Sequence, residues 1–290
     1  MVKPTSGLVT VRLPRAVQAA VDAGYCTSAV LRSLEAAGCR GQLCHHLLHS
    51  IGLFTDPENV AGIASMDRTG SSLWYSASSF IDYLFASGLL SAGCRVCEVG
   101  AGCGAVGLAL HFAMGCDVTL TDQPQMLPLL YLNAGLNAHL CKSSTGMPSF
   151  ASLPWGLDAA ADAVLSDAGG SYDFIIGSDV TYEPASHDAL LLTLARLAQG
   201  LPNGAPVILA APDHKQPSQT TSNSLRDGFL DRCALHGWRV ETVEAVRKAS
   251  GWQDGAASKS VACPIVILVM RPPPPPRRCR VPWEFESTSD

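Results

Sequence analysis

Hydrophobic and polar positions along the chain alternate between short apolar runs of strand length and longer stretches with a helical period. Seven short runs rich in β-formers predict strands, and amphipathic helical patterns separate several of them. The predicted strands start near residues 95, 117, 149, 172, 205, 238 and 261. A glycine-containing loop before the last strand allows that strand to run antiparallel. The pattern therefore predicts an α/β fold, a Rossmann-like seven-stranded mostly parallel sheet with an antiparallel terminal hairpin and helices on both faces.

Two flanking segments differ from this central region. Residues 1–65 are predicted to form an N-terminal helical extension, with the α/β domain occupying residues 66–271. The extension has three candidate helices, Ala16–Ala23, Thr27–Ala37 and Leu43–Ile51. Residues 272–290 begin with five prolines and continue with arginines. That composition predicts a disordered tail, because it cannot form a core.

The stretch from Val96 to Asp122 contains the clearest candidate chemistry. It predicts a strand, a loop with a glycine at every second position, a helix and a second strand that ends on Asp122. Glycines let the backbone approach a ligand closely, and the helix start presents free N–H groups to it. A carboxylate at the end of the second strand can accept hydrogen bonds from ribose hydroxyls. The stretch therefore predicts a nucleoside-binding unit.

Glu98 decides which kind of nucleoside this unit favours. The sequence from Gly102 to Gly107 also satisfies the dinucleotide pattern G-x-G-x-x-G, which is weak by itself. Glu98 ends the first strand, where its carboxylate would repel a pyrophosphate and attract a cationic amino-acid group. About ninety residues precede the unit, whereas a dinucleotide fold more often begins with it. Both features argue against a nicotinamide or flavin cofactor.

Composition argues against several classes of partner. The formal net charge is −5, so the basic footprint of a nucleic-acid-binding protein is missing, and no nucleic-acid partner is expected. No apolar run approaches the ~20 residues that span a bilayer, so no membrane partner is expected either. The eleven cysteines are odd in number and scattered. They indicate reduced thiols and a cytoplasmic location, with the nucleus or, from a weakly basic N-terminus, an organelle as alternatives.

No metal site is predicted. Cys94 and Cys97 match a C-x-x-C pattern, but the pattern lies on a predicted strand. Residues three apart on a strand point to opposite faces, so these thiols cannot hold one ion.

A set of motifs in fixed order carries a family resemblance. The motifs are Leu73-Trp74-x-Ser-Ala77, Glu98-Val-Gly-Ala-Gly-Cys-Gly104, Val118-Thr-Leu-Thr-Asp122, Asn133-x-x-x-Asn137, Pro154-Trp155-Gly156 and Ser178-Asp179-Val-x-Tyr182. Together they resemble the seven-β-strand protein-lysine methyltransferases, the methyltransferase-16 group of the class I S-adenosylmethionine-dependent enzymes. The segment that follows the fifth strand, Pro212 to Gln216, departs from the family because it lacks the arginine that members often carry there.

The resemblance implies a cofactor, S-adenosylmethionine, and a role for each matching residue. The implied cofactor-binding residues are Trp74, Glu98, Gly100, Gly102, Gly104, Asp122, Gln123, Trp155 and Ser178. Asp179 and Tyr182 are the implied catalytic pair. Each of three residues has a structural alternative: Trp74 and Trp155 could be core residues, and Asp179 could cap the following helix.

Three functions are compatible with these residues. The favoured one is an S-adenosylmethionine-dependent methyltransferase that acts on a lysine side chain of a protein substrate. The second is a methyltransferase for another nucleophile, a small molecule or a protein histidine. The third is a non-catalytic module that binds the cofactor, although the intact Glu98, glycines, Asp122 and Asp179 argue against it.

Overall fold

The computed structural model describes residues 42–46, 51–55, 70–141, 146–202, 205–212, 225–244 and 265–273. Nine strands lie in these ranges: β1 (Gln42–His46), β2 (Ile51–Thr55), β3 (Arg95–Glu98), β4 (Asp117–Asp122), β5 (Ser149–Ser152), β6 (Phe174–Ser178), β7 (Val207–Pro212), β8 (Arg239–Glu244) and β9 (Ile265–Arg271). The α-helices are α1 (Tyr75–Ser87), α2 (Ala105–Ala109), α3 (Leu127–Leu136), α4 (Asp158–Asp167), α5 (His187–Leu197) and α6 (Leu225–Leu235). A π-helical turn, Leu110–Met114, extends α2.

Seven of the strands form one sheet in the order β5-β4-β3-β6-β7-β9-β8. Strands β3 to β7 pair in parallel, whereas β9 runs antiparallel between β7 and β8. The predicted sheet and its antiparallel terminal hairpin are therefore confirmed. The strand order reverses beside β3, which pairs with β4 on one side and β6 on the other. Ligands of open α/β sheets bind at such a reversal, beyond the carboxyl ends of the strands.

Helices cover both faces of this sheet, as predicted. One buried cluster contains side chains of α1, α2 and α3, among them Phe80, Leu108 and Leu130. The second cluster contains side chains of α4, α5 and α6. Val96 and Cys97 are neighbours on β3 and enter opposite clusters. Cys94 packs against the first cluster and Cys97 lies in the second, so the two thiols face apart, as the strand period predicts.

The predicted helix over Leu43–Ile51 is wrong, because this region forms the antiparallel pair β1 and β2. Ile51 and Leu53 are both fully buried and belong to the first cluster of the main sheet. Residues two apart share a face on a strand but not on a helix, so only the strand buries both side chains. The other two candidate helices of the extension lie outside the described residues, as does the tail from residue 274 onward.

The boundaries of the remaining elements agree with the sequence patterns to within a few residues. The sequence predicts a helix over Ser78–Ser87, and helix α1 begins three residues earlier, at Tyr75, with Trp74 as its N-cap and no side-chain capping bond. Helix α4 was not predicted, although Ala161 and Val164 lie three residues apart and are both buried. In the part of the chain that the structure describes, no helix is both long and apolar enough to cross a membrane.

Candidate active site

The glycine loop after β3 takes a backbone shape that other residues would strain. Gly100, Gly102 and Gly104 have φ values of 61°, 56° and 83°, in the left-handed region that glycine adopts without a steric penalty. A Cβ atom on Gly102 would also lie 2.8 Å from the carbonyl oxygen of Gly70. The loop therefore needs glycine for both its conformation and its close packing.

Glu98 lies beneath this loop and is almost fully buried, with 2% of its surface exposed. Its Oε2 atom accepts a hydrogen bond from the backbone N–H of Gly107, at 2.8 Å. Burial raises the pKa of Glu98 to about 8; the bond from Gly107 opposes this shift and the charge of Asp122 adds to it. Burial thus favours the protonated group in the empty site, and a cationic partner would favour the carboxylate form.

Gly107 is a site residue whose role the sequence pattern did not show. A side chain there would collide with the carboxylate of Glu98 and with Leu120. The close approach of helix α2 to the end of β3 depends on this glycine. Its place in the G-x-G-x-x-G pattern was the available signal, but the pattern alone does not show that its partner is Glu98.

Asp122 is held in a fixed orientation at the end of β4. Its Oδ2 atom accepts from the backbone N–H of Gly102 at 2.7 Å, and its Oδ1 atom accepts from that of Gln123 at 2.6 Å. The carboxylate thereby ties the glycine loop to the second strand.

Asn133 also supports the glycine loop. This fully buried side chain of α3 donates from Nδ2 to the carbonyl oxygen of Cys103, at 2.7 Å. Asn137, one turn later, donates to the carbonyl oxygen of Asn133. The spacing of the two asparagines was visible in the sequence, but their support of the loop requires the packing of α3 beneath it.

A cavity of about 430 Å³ opens above the carboxyl ends of β3, β4, β5 and β6. Its lining includes every residue predicted for the site except Gly104, namely Trp74, Glu98, Gly100, Gly102, Asp122, Gln123, Trp155, Ser178, Asp179 and Tyr182. Gly104 does not line the cavity. A Cβ atom on it would instead lie 2.9 Å from Leu130, on the side of the core. The sequence prediction for Gly104 therefore identifies a residue that shapes the loop without facing the cavity.

Asp179 follows β6 in a conformation that is rare for a residue with a side chain. Its φ is 58°, and no other non-glycine residue in the described ranges has a positive φ. Aspartate tolerates the left-handed region better than most residues, yet such strain persists mainly where surrounding structure enforces it, often at functional sites. Its N–H donates to the carbonyl oxygen of Ala210 on β7, at 2.9 Å, and 8% of its surface is exposed. The neighbouring strand therefore fixes the backbone from which this carboxylate enters the cavity.

Asp179 does not cap the following helix, so that alternative is wrong. The turn Pro184–Ser186 begins at Glu183, whose side chain accepts from the N–H of Ala185. Helix α5 then begins with Ser186 as its N-cap. Asp179 is several residues away from both positions.

The aromatic residues of the site have different surroundings. Trp155 is half-buried, packs against the second cluster and also lines the cavity beside Gly100, where an added Cβ would lie 3.1 Å from its ring. Trp74 is 42% exposed, which excludes a core position for it. Tyr182 is 37% exposed at the same cavity. Ser178 donates from its hydroxyl to that of Ser76, at 3.2 Å, and links β6 to α1.

Replacing Trp155 tests whether its ring contacts a bound ligand. In a Trp74→Phe background, S-adenosylmethionine should change the tryptophan fluorescence, and Trp155→Phe should abolish most of that change. Trp155→Ala should weaken binding roughly 2- to 12-fold, since aromatic stacking contributes about 0.5–1.5 kcal/mol. An unchanged dissociation constant in a folded Trp155→Ala protein would leave Trp155 with a packing role only.

Comparison with known proteins identifies the family. A family model described as lysine methyltransferase matches residues 63–223, more than half of the chain. The chain belongs to the lysine methyltransferase family. The family match includes β3 to β7 and every residue predicted for the site.

Within the described residues, no group of three or more His, Cys, Asp or Glu side chains is arranged to hold a metal ion.

Two relatives of this family member show how far the similarity extends. EEF1A lysine methyltransferase 3 of Xenopus tropicalis is 34% identical over 125 residues, which are 43% of this chain and 51% of the relative. Protein N-lysine methyltransferase METTL21A of Danio rerio is 34% identical over 108 residues, 37% of this chain and 46% of the relative. The chain thus spans about half the length of the curated relatives it matches.

A solved structure with a similar fold is a methyltransferase from Pyrococcus furiosus. It is 15% identical, with a TM-score of 0.41, and the match covers 67% of this chain and 83% of that one.

Proposed function

We propose that this protein is an S-adenosylmethionine-dependent methyltransferase that modifies a lysine side chain of a protein substrate. The observation that carries the proposal is that one cavity combines the Glu98 and Asp122 carboxylates at a glycine loop with Asp179, the strained residue beyond β6. Membership of the lysine methyltransferase family supports the same assignment.

The lining of the cavity fits the cofactor. Gly100 and Gly102 line the cavity without side chains, so main-chain groups of the loop can approach a ligand. Glu98 and this loop would hold the cationic methionine part of the cofactor, and Asp122 would accept hydrogen bonds from the ribose hydroxyls. Trp155 would lie against adenine, and Gln123 and Ser178 would complete the contacts. When bound, S-adenosylmethionine supplies a methyl group already activated by its attachment to a sulfonium.

The protein must supply alignment and a neutral amine. A lysine ammonium has no free lone pair, and its pKa in solution is about 10.4. Burial in an apolar channel lowers that pKa, whereas a nearby carboxylate raises it. Asp179 therefore recruits and orients the ammonium and is not a strong base. The proton leaves to water or through the hydroxyl of Tyr182, which also narrows the channel.

Replacement of Asp122 tests cofactor binding. Asp122→Ala should weaken the binding of S-adenosylmethionine and of its demethylated product to a similar extent. The expected loss is about 1.5–3 kcal/mol, or roughly one to two decades in dissociation constant. Isothermal calorimetry measures both ligands. Asp117→Asn is the matched control, because Asp117 is an exposed residue at the other end of the same strand. Tight binding of NAD with no response to S-adenosylmethionine would instead favour an oxidoreductase.

The reaction is tested with methyl-labelled cofactor and a cell lysate. Mass spectrometry of the labelled material should find the label on lysine side chains of one or a few proteins. Label on histidine or on a small molecule would support the second candidate function. Cofactor binding without any labelled product would support a non-catalytic module.

A further inference from the structure

The outer part of the cavity has a composition that suits a positively charged substrate. We define the cavity mouth as Trp74, Tyr182 and Glu183, which all line the cavity and are exposed to solvent. Two aromatic rings and a carboxylate are groups that attract cations, the rings through their negative faces. The mouth therefore favours a basic segment over an acidic one.

All acidic or basic side chains among the described lining residues are carboxylic acids. These side chains are Glu98, Asp122, Asp179 and Glu183, and the described lining contains no lysine, arginine or histidine. Asp122 accepts from Gly102 of the glycine loop, Glu98 accepts from Gly107 of α2, and Asp179 is the proposed anchor for the reacting ammonium. Glu183 is the one carboxylate at the mouth and has no part in the proposed reaction.

The local structure positions Glu183 more firmly than an ordinary surface glutamate. Its Oε1 atom accepts from the N–H of Ala185 at 3.2 Å. Its carbonyl oxygen accepts from both the N–H and the hydroxyl of Ser186, at 3.0 and 2.8 Å. Because these bonds restrict the backbone and the side chain, the carboxylate loses less conformational entropy when it binds a partner. The bond to Ala185 uses one of about four acceptor sites of the carboxylate.

We propose that Glu183 selects substrates in which a basic residue lies close to the target lysine, by pairing with the positive charge of that second side chain. The inference rests on the proposed function, since it assumes that a lysine side chain enters beside Asp179. Glu183 then acts as a specificity-determining residue, and the preferred substrate segment is basic. The competing explanation is that Glu183 only caps the turn that precedes α5.

Glu183→Gln separates these two roles, because glutamine keeps an oxygen that can accept from Ala185 but carries no charge. The probe is a peptide library with a fixed central lysine and varied residues at the two positions on each side. Peptides are also made from the substrate sequences found in the lysate experiment. Each sequence is prepared in three versions, with arginine, glutamine or glutamate beside the methylated lysine. Glu241→Gln is the matched control, because Glu241 is an exposed glutamate on β8 outside the cavity.

The wild-type protein should methylate arginine-flanked peptides with a kcat/KM about 2- to 5-fold above that of glutamine-flanked ones, the size expected for a solvent-accessible ion pair. Most of the difference should lie in KM. It should shrink in high salt, which screens exposed charges. Glu183→Gln should abolish the preference and Glu183→Lys should reverse it toward glutamate, whereas Glu241→Gln should keep it. The dissociation constant of S-adenosylmethionine, measured by calorimetry, should be the same in all four proteins.

Other outcomes distinguish this inference from the function on which it rests. Methyl-lysine formation with no preference for flanking charge, or a preference that survives in Glu183→Gln, would overturn the inference alone. A complete lack of methyl-lysine in both library and lysate would overturn the proposed function, and the inference with it.

Discussion

Asp179→Asn should abolish most methyl transfer to lysine while the protein still binds its cofactor. Removal of one member of a buried, hydrogen-bonded charge pair typically costs about 2–5 kcal/mol, roughly 30- to 4,000-fold in kcat/KM here. Asparagine is the informative replacement because it also tolerates a positive φ, the conformation found at this position. The measurement is the rate of label transfer to the lysate substrate, with calorimetry for the cofactor.

Two further variants distinguish the effect of the lost carboxylate from the effect of the backbone conformation at this position. Asp179→Gly suits the left-handed conformation and should remain as stable as the wild type, yet be as inactive as Asp179→Asn. Asp179→Ala should also be inactive, and it should lower the melting temperature, because a Cβ without a compensating polar group costs about 1–2 kcal/mol in this region. Tyr182→Phe should reduce the rate more mildly. Full turnover by either Asp179→Asn or Asp179→Gly would exclude the proposed anchor.

Glu98 should make cofactor binding strongly dependent on pH. In the ligand-free protein its pKa is raised to about 8 by burial, so the carboxyl group is mostly protonated at pH 6 to 7. A cationic ligand binds the carboxylate form and must release this proton. The affinity for S-adenosylmethionine should therefore fall by up to about tenfold for each pH unit below 8, and binding at pH 7 should release close to one proton. Calorimetry in buffers with different ionisation enthalpies measures that release.

The same group should affect the stability of the ligand-free protein. The pKa of Glu98 rises from an ordinary value of 4.5 to about 8 on folding. Between these values the folded state holds a proton that the unfolded state has lost, so the free energy of unfolding falls as pH rises through this window. Glu98→Gln cannot ionise and should be more stable than the wild type at pH 8, by up to about 4 kcal/mol, with no such gain at pH 4. It should also bind the cofactor weakly and without proton release. A wild-type affinity that does not change between pH 6 and 8 would contradict this account.

Much of the site was predictable from the sequence because its parts are local in the chain. The β3–loop–α2–β4 unit occupies a single short stretch, and its spacing predicts both the glycine loop and the acid at the end of the second strand. Parallel strands have their carboxyl ends at one edge of a sheet, so Glu98, Asp122 and Asp179, which end or follow such strands, meet there. The family resemblance added Trp155 and Tyr182, which the structure also brings to the cavity.

The contacts between distant segments were decided only by the tertiary structure. A short apolar run such as Leu43–Ile51 satisfies either period, and the choice of strand depends on burial of Ile51 and Leu53 in the main core. Asn133 supports the glycine loop only because α3 packs beneath Cys103. Gly104 faces Leu130 and not the cavity, although its spacing matches that of the other glycines.

The sequence by itself therefore determined the seven strands of the main sheet in their order along the chain and the groups at the strand ends, since hydrophobic periodicity and short motifs act over neighbouring residues. The tertiary structure alone decided the left-handed backbone of Asp179 and the position of Glu183 at the cavity mouth. The backbone of Asp179 is held by a hydrogen bond to Ala210 of the neighbouring strand. The position of Glu183 depends on the packing of its turn, Pro184–Ser186, at the cavity above the four strand ends. Both are set by packing between segments far apart in the chain, which a local pattern does not encode.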